Sequence, residues 1–575
     1  MRLFHLLTLL TGFLLASPAH AQWQSTTYTL KGGWSSIYLS GDASHAAIGD
    51  LFPATVTEVW RWNPNPNQVQ FTESPLIPSA GTADWSVWRR GAPADSSFTE
   101  MIGRSAYLVK STGTIADTYT VTIKQSPLPP GSSWVRNGAN FLGFPAFGTA
   151  ATAPTISSYF NTFPAAVAAN AKVFKYVGGE LGPGNPLLVF STGSERLDRS
   201  QAYWFSAQVV ENFYGPVEIN LSNANGLDFG RTGSVITAKV RNRGASPVTL
   251  TFAPVSSEAS PTGQAAITGP VPLSRRVFNP LTLLWTETPL GSGFTQVIAA
   301  QSTVELQFGL SRGAMNGGTA SLYASMLRVT DAGQLMDLVL PVRAQPASLT
   351  GLWIGDVKLT GVESKAAGST GTTTPEPFLL RTLIHVADGG RPTLLSQVFL
   401  GQLAVAPHAQ GVCTQEALLK QDAKSSATRL VAAHLPLDLV GAPYSPTPPQ
   451  QGVLLQPVLL QPITLTQPGS VIFEVTVPFN DPTNPFVHQY HPDHDNKDPR
   501  GDALIAGQES YTLVRKCTFT FTASPPAGST VSSGWGSSVI GGNYTETITG
   551  AHSEEISVSG TFELSRASEV GTLSQ

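Results

Sequence analysis

Residues 227–252 read LDFGRTGSVITAKVRNRGASPVTLTF and contain two strand-like runs separated by a turn. The runs VITAKVRN and PVTLTF are rich in β-branched residues and alternate in polarity, and Gly244 lies in the turn between them. Alternation with a period of two places successive side chains on opposite faces of a sheet. The stretch therefore predicts two antiparallel strands joined as a hairpin.

The same strand pattern recurs through most of the chain, with turns of Gly, Pro, Asn or Ser between the runs. Examples are TYTLKG, VTEVWRW, SAYLVKS, KVFKYV, VIFEVTVPF and YTLVRKCTFTFTA. The 575 residues include 54 Gly and 44 Pro, and only 13% are charged, against about 25% in average soluble domains. Helical patterns are few and short. We predict an all-β fold, and at roughly 100–200 residues per domain the length indicates a multi-domain chain.

Two stretches before the quoted segment repeat one pattern. In the first, Gly33-Trp34 precedes a strand, VWRW follows, and RSAYLVKS comes later. In the second, GANFLGFP, KVFKYVGG and SQAYWFSAQ stand in the same order. A repeat of about 100 residues is the size of a domain and not of a solenoid unit. We predict two related β-rich modules at residues 22–126 and 127–222.

The quoted segment resembles the immunoglobulin-like domains of the ASPM, SPD-2 and Hydin type. The matching features are Phe229-Gly230 in the opening strand, the turn after Val240 and the strand that begins at Pro247. The likeness covers residues 227–252 closely and extends loosely to Ala344. It implies a β-sandwich over residues 227–344 that serves as a spacer or docking module and carries no catalytic site.

Residues 349–575 open with TGLWIGDVKL and close with the strands GGNYTETIT and ISVSGTFELSRAS. An opening G-x-W strand and a closing strand pair are similar to the way lipocalin-like barrels begin and end. An up-and-down β-barrel and a second β-sandwich both fit this segment. The chain outside the immunoglobulin-like segment also resembles uncharacterised secreted bacterial multi-domain β proteins, and that resemblance implies no activity.

The first 21 residues have the pattern of a secretory signal peptide. Arg2 precedes an apolar run over residues 3–16, and Ala19-His20-Ala21 forms a small-x-small cleavage site. The run is shorter than the roughly 20 residues of a membrane-spanning helix, and no later stretch reaches that length. We therefore expect a secreted, periplasmic or cell-surface protein without membrane insertion. The net charge of -4 and the lack of a basic stripe argue against nucleic acid as a partner.

Cys413 and Cys517 are the only cysteines of the chain. An even pair in an oxidising compartment predicts one disulfide. The alternative is two buried free thiols.

The segment NPFVHQYHPDHDNKDPRGD, residues 484–502, concentrates ligand-type side chains in a chain with only ten histidines. Carboxylate oxygens suit calcium, whereas histidines suit zinc or another transition metal. A polar loop that needs no metal is the third interpretation. The candidate metal ligands are His488, His491, Asp493, His494, Asp495 and Asp498.

Two known metal motifs match this segment only in part. Lys497 and Leu504 stand where an EF-hand loop needs an oxygen ligand and a bidentate glutamate. QYHPDH resembles the metallo-β-lactamase motif with Gln489 in place of its first histidine. Because neither motif is complete, a polar loop without metal is the favoured interpretation, calcium is the favoured candidate cofactor if a cation binds, and a zinc hydrolase is the least favoured alternative.

Four tryptophans form a second candidate site, Trp60, Trp62, Trp85 and Trp88. Exposed indole rings stack on sugar rings or other flat apolar faces, so these residues are candidate ligand-binding residues. The alternative, which we favour, is that they build the core of a small module.

Motifs of catalysis are absent from the sequence: there is no GxSxG, HExxH, Walker loop or GxGxxG, and no catalytic residue is predicted. The function predicted is that of a secreted, non-enzymatic binding or structural protein of the surface or adhesion type. Carbohydrate or another surface protein would be its partner. Two alternatives are an extracellular metal-dependent hydrolase centred on residues 488–498, and a carrier of a small apolar ligand in a C-terminal barrel.

Overall fold

Strands dominate the computed structural model of the chain, which is all-β and multi-domain as predicted. Among the described residues, helical structure is limited to single turns, Ile48–Leu51 (α1) and Ile156–Tyr159 (α2), and to the 3₁₀ turns Pro93–Asp95, Pro164–Val167 and Arg312–Ala314. In the described part of the chain no helix is long and apolar enough to cross a membrane. The structure describes residues 22–64, 75, 77–136, 138–148, 151–168, 171–207, 211–364, 372–395, 397–398, 432–433, 458–461, 464–477, 512–527, 529, 534–549 and 555–573.

The first module consists of a four-stranded sheet and a separate strand pair. The sheet has the order β2-β5-β3-β4, and β1 pairs with β6 along its whole length. The strands are Gln24–Lys31 (β1), Gly33–Leu39 (β2), Val56–Trp62 (β3), Trp85–Arg89 (β4), Ser105–Ser111 (β5) and Thr118–Gln125 (β6).

The second module repeats this topology. Its sheet has the order β7-β10-β8-β9, so in both modules the first strand pairs with the fourth, and the second strand lies between the fourth and the third. The strands are Gly138–Leu142 (β7), Val173–Lys175 (β8), Leu187–Leu188 (β9) and Tyr203–Ala207 (β10).

A tyrosine in the fourth strand of each module makes the same hydrogen bond. The hydroxyl of Tyr107 accepts the backbone N–H of Ile102 at 2.9 Å, and that of Tyr203 accepts the N–H of Asp198 at 2.9 Å. Each donor lies five residues before its tyrosine. The two modules are therefore related in detail as well as in strand order.

The two sheets divide three cores from one another. In β5, Tyr107 and Val109 face a core inside the first module, while Leu108 faces the second module. In β10, Trp204 faces the first module, while Tyr203 and Phe205 face the core of the following sandwich. Because alternate residues lie on opposite faces, the uninterrupted apolar runs of both strands are buried on both sides.

The layer between the two modules is aromatic. Trp204 stacks on Phe141 with ring centres 4.7 Å apart and meets Trp62 edge-on at 5.1 Å. Hydrogen bonds flank the rings: Ser36 donates to the carbonyl of Ala202 at 2.7 Å. Aromatic pairs of this geometry stabilise by about 0.5–1.5 kcal/mol each beyond the area that they bury. The layer therefore fixes the modules to one another.

The sandwich contains two sheets of the orders β11-β13-β19-β16-β17 and β12-β21-β20-β14-β18, with β15 paired to β20. Its strands are Val217–Leu221 (β11), Leu227–Asp228 (β12), Val235–Asn242 (β13), Val248–Ser256 (β14), Ile267–Gly269 (β15), Leu273–Asn279 (β16), Leu284–Pro289 (β17), Phe294–Ile298 (β18), Thr303–Leu310 (β19), Leu322–Asp331 (β20) and Asp337–Ala344 (β21). Strand β11, which the predicted boundaries assigned to the second module, is thus part of the sandwich.

The hairpin predicted over residues 227–252 is wrong, because β13 and β14 belong to opposite sheets. The turn between them crosses the sandwich. Asn242 is buried there and donates to the carbonyls of Ser246 at 2.8 Å and Ala299 at 3.1 Å, while its Oδ1 accepts the N–H of Gly244. The side-chain amide therefore satisfies backbone groups of the turn and of the neighbouring connection between β18 and β19.

The C-terminal domain is one antiparallel eight-stranded sheet of the order β27-β24-β23-β22-β31-β30-β29-β28. Gln461, just after β27, bridges Ile472 of β28, so the sheet curls until its two edges meet. This closure favours the barrel over the sandwich. The strands are Gly351–Ser364 (β22), Thr372–Val386 (β23), Pro392–Leu394 (β24), Val458–Leu459 (β27), Gly469–Val477 (β28), Leu513–Phe521 (β29), Val539–Thr549 (β30) and Ile556–Ser568 (β31), and Gln397–Val398 (β25) pairs separately with Ala432–Ala433 (β26).

The backbones of the sandwich and the C-terminal domain are in direct contact where the two domains join. A Cβ atom on Gly313 would lie 2.4 Å from the carbonyl oxygen of Ala523, and one on Gly536 would lie 2.3 Å from the nitrogen of Gly313. Beside them, Arg312 donates to backbone carbonyls that include those of Phe229 at 2.9 Å and Gly233 at 2.7 Å. Burial lowers the pKa of Arg312 to about 10. The junction is therefore a close contact.

We expect Trp204→Ala to destabilise residues 22–344 by about 3–5 kcal/mol, because a large core side chain is removed and the aromatic layer cannot close the space. Urea unfolding followed by circular dichroism measures the change. Phe190→Ala is the control, since that ring is 89% exposed and its removal should leave the midpoint unchanged. Equal midpoints for Trp204→Ala and the parent chain would contradict this role of the layer.

Candidate functional site

The six candidate metal ligands all lie in residues 478–511, outside the described residues. The strands on either side of this segment are described: β28 and β29 pair in continuous register from Val477 opposite Leu513 to Gly469 opposite Phe521. The segment therefore connects two neighbouring strands, as expected, and its metal set stays a prediction. Among the described residues no group of three or more His, Cys, Asp or Glu side chains is placed to hold a metal ion.

A buried ion pair lies inside the barrel near the start of β29. Nε of Arg515 donates to Glu546, and the two side chains are only 6% and 1% exposed. The hydroxyl of Tyr544 donates to Oε2 of Glu546 at 2.7 Å and lies 3.2 Å from Sγ of Cys517. Each charge therefore has a partner, which an apolar interior requires.

The pKa values of this cluster follow from burial and from the pair itself. Burial alone would lower the pKa of Arg515, but the carboxylate of Glu546 raises it well above its ordinary value. Burial raises the pKa of the Cys517 thiol, which the structure records as free. A protonated, enclosed thiol is a poor nucleophile. Cys413 lies outside the described residues, so the disulfide with Cys517 stays a prediction.

Aromatic rings pack against one another in the described part of the barrel interior. Phe519 lies 5.0 Å from Tyr544 and 4.9 Å from Phe562, between ring centres, and Phe521 lies 4.9 Å from Phe562. A carrier of a small apolar ligand needs an open apolar space instead. The described residues give that hypothesis no support.

The tryptophans predicted as ligand-binding residues lie at the contact between the modules. Trp60, Trp62 and Trp85 are 3–4% exposed and belong to the aromatic layer, while Trp88 packs partly buried against the core of the first module. Their faces are covered by other rings, so stacking on a sugar would require the modules to separate. That binding role stays a prediction.

A projecting hairpin was missed by the sequence analysis. Strand β16 pairs with β19 only as far as Arg276, and beyond that point its sole strand partner is β17. Residues 277–286, VFNPLTLLWT, therefore extend past the sheet and are called the hairpin tip below. Leu281 is 93% exposed and Leu283 is 73% exposed. Three adjacent apolar residues, Leu283-Leu284-Trp285, cannot all face one core from a strand, and this was the available signal.

The hairpin tip carries exposed apolar side chains on both of its faces. Phe278 and Trp285 pair on one face, with ring centres 5.2 Å apart, and Val277 and Leu284 lie on the other. Phe278, Trp285, Val277 and Leu284 are all exposed. The base of the tip is polar: Arg276 pairs with Glu287 at 3.4 Å and its guanidinium lies 4.4 Å from the centre of the Trp285 ring. An apolar end thus follows an ion pair that lies on the face of Phe278 and Trp285.

The backbone of the tip is strained at Leu283, whose φ is 56°. This left-handed conformation disfavours residues with a Cβ atom by about 1–2 kcal/mol, and Gly or Asn usually occupies it. Oδ1 of Asn279 accepts the N–H groups of Leu281 at 2.9 Å and Thr282 at 3.4 Å, which holds the turn. A leucine at position 283 destabilises the fold relative to glycine, so its presence indicates a role of the side chain outside folding.

Two grooves border the linker of residues 346–350, between the sandwich and the C-terminal domain. One, of about 450 Å³, is lined by Met315, Thr464 and Gln467 among others, and the second, of about 350 Å³, by Arg231 and Arg566 among others. None of the candidate site residues predicted from the sequence lines either groove.

Comparisons with known proteins do not identify the chain. No family model and no curated protein matches it. Similar solved structures include the Salmonella enterica SafA pilin in complex with the SafB chaperone (10% identity, 32% of this chain, 92% of that chain, TM-score 0.14). They also include the E. coli chaperone DraB (12% identity, 31% and 88% covered, TM-score 0.14) and a Bacteroides ovatus protein of unknown function (11% identity, 61% and 95% covered, TM-score 0.15). At these TM-scores the likenesses carry no argument, and the resemblance of residues 227–344 to the ASPM, SPD-2 and Hydin type stays a prediction.

We expect Arg515→Met to destabilise the C-terminal domain by about 3–5 kcal/mol, because it leaves the Glu546 carboxylate buried without a partner. The double variant Arg515→Met/Glu546→Leu should be more stable than this single variant, since no uncompensated charge remains. Urea midpoints of the mature chain and its Arg515→Met, Glu546→Leu and double variants measure the coupling. Additive losses in the double variant would contradict the pairing.

Proposed function

We propose that this chain is a secreted, non-enzymatic attachment protein and that the hairpin tip makes the attachment. The observation that carries the proposal is the exposure of apolar side chains on both faces and at the end of the hairpin tip, which contains no charged residue. Contiguous exposed apolar surface of this kind marks an interaction site. The leucine at a strained position that favours glycine supports a role outside folding.

The body behind the tip suits attachment because it is stiff. The three cores are separated only by sheets that are buried on both faces, so the modules and the sandwich have no free linker between them. A rigid scaffold that presents a loop loses little conformational entropy on binding. The partner held at the tip therefore also fixes the orientation of the modules.

Secretion and a cation remain part of the proposal. The signal-peptide pattern of residues 1–21 supports export to the cell surface or periplasm. The concentration of His and Asp side chains in residues 488–498 supports a calcium site in the connection between β28 and β29. In this proposal the cation stabilises the C-terminal domain and takes no part in catalysis.

Attachment is tested with fluorescently labelled mature chain added to the producing cells from which its gene has been deleted. Leu281→Ser/Leu283→Ser should lower the bound amount at least tenfold, because the apolar contact is lost while two exposed side chains contribute little to the fold. Leu283→Gly, which also relieves the backbone strain, should bind less without losing thermal stability. Phe190→Ser is the matched control, because the Phe190 ring is 89% exposed and lies outside the hairpin tip. Undiminished binding by the double variant would refute attachment through the tip.

The cation site is tested by metal analysis and thermal unfolding of the mature chain with and without a chelator. We expect bound calcium, and a melting temperature that chelation lowers, because a ligand that binds only the folded state stabilises it. Asp493→Ala/Asp495→Ala should abolish both effects, whereas Asp95→Ala, at an exposed aspartate of the first module, should change neither. Zinc in place of calcium would favour the hydrolase alternative, and no metal would leave a plain polar loop.

A further inference from the structure

We propose that the partner of the hairpin tip is a lipid surface, into which residues 277–286 insert from one side without crossing it. This inference rests on the attachment proposed above and names the chemistry of what is bound. No membrane insertion was expected from the sequence, because no apolar stretch after the first 21 residues reaches the length of a spanning helix. Two short strands and a turn can bring an apolar end together without such a stretch, and insertion from one side departs from that expectation.

Because apolar side chains lie on both faces and at the end of the tip, the partner that buries them has to surround the tip. Phe278 and Trp285 lie on one face, Val277 and Leu284 on the other, and Leu281 at the end. A protein docked against one face would leave the opposite face in water. The apolar layer of a membrane covers all of them at once.

A second copy of the chain is a poorer occupant because the tip is too small. It offers ten residues, whereas a stable protein interface uses about 20–30 residues on each side.

The polarity profile along the hairpin matches the membrane interface. At a rise of about 3.3 Å per residue, the tip projects roughly 10 Å beyond Arg276, near the 5–10 Å to which interfacial segments sink. Tryptophan is favoured at the interface, where Trp285 would lie below the guanidinium of Arg276 at headgroup level. The remaining half of the hairpin stays in water.

The turn also meets the requirement that backbone groups be satisfied away from water. Asn279 Oδ1 accepts the N–H groups of Leu281 and Thr282, and Asn279 pairs with Leu284 across the hairpin. A membrane interior penalises unsatisfied backbone groups, so a self-satisfied turn is the part that can enter it. The outward-facing backbone groups of the two free edges limit the insertion to the interfacial layer.

The test is sedimentation of the mature chain with phosphatidylcholine vesicles and with phosphatidylcholine vesicles that contain anionic phosphatidylglycerol. We expect binding to both, retained at high salt because the contact is apolar, and at least a tenfold lower partition coefficient for Leu281→Ser/Leu283→Ser. Phe190→Ser should bind as the parent does. Brominated acyl chains should quench the part of the emission that is lost in Trp285→Phe.

Three results would overturn the inference: no binding to either vesicle, equal binding by the double variant, or a tip-dependent dimer in sedimentation velocity without vesicle binding. Attachment to cells that depends on the tip, together with no vesicle binding, would remove the lipid inference and leave the attachment function standing. Failure of both would remove the attachment function as well.

Discussion

The aromatic layer centred on Trp204 is the contact on which the rest of the arrangement depends. A four-stranded sheet of short strands has too little apolar surface to be stable alone. Here the sheet of the second module is covered on both faces, by Trp62 and its neighbours on one side and by the sandwich core behind Phe205 on the other. The first module, in turn, needs the second to cover the face that carries Trp34. Removing this layer would expose both sheets at once.

The repeat pattern of the sequence predicted two related modules. In the structure the two four-stranded sheets share one strand order, and Tyr107 and Tyr203 make the same hydrogen bond. The apolar runs SAYLV and AYWFS are a signal of burial on both faces that the strand prediction did not use. What alternation does not reveal is the sheet to which a strand belongs, because β13 and β14 bury one face each whether they pair or cross. The hairpin prediction failed for that reason.

The candidate sites were harder to predict because burial decides their chemistry. Arg515, Cys517 and Phe519 are alternate residues of one strand, and Tyr544 and Glu546 are alternate residues of its neighbour. Their spacing in the sequence is therefore consistent with an inward-facing ion pair. Pairing the two across strands requires the register, which a single sequence does not supply. The tryptophans illustrate the opposite case: their spacing fits an exposed stacking surface as well as a core, and only the position of the second module separates the two.

The stiffness of the body gives the hairpin tip consequences beyond its own ten residues. Gly313 and Gly536 bring the backbones of the sandwich and the C-terminal domain into direct contact, and Arg312 binds the nearby carbonyls of Phe229 and Gly233. The C-terminal domain therefore has little freedom to change its orientation relative to the sandwich that carries the hairpin tip. Strands β28 and β29 of that domain therefore keep a fixed direction relative to the hairpin tip. If the tip attaches as proposed, the same contact would set the direction of the C-terminal domain.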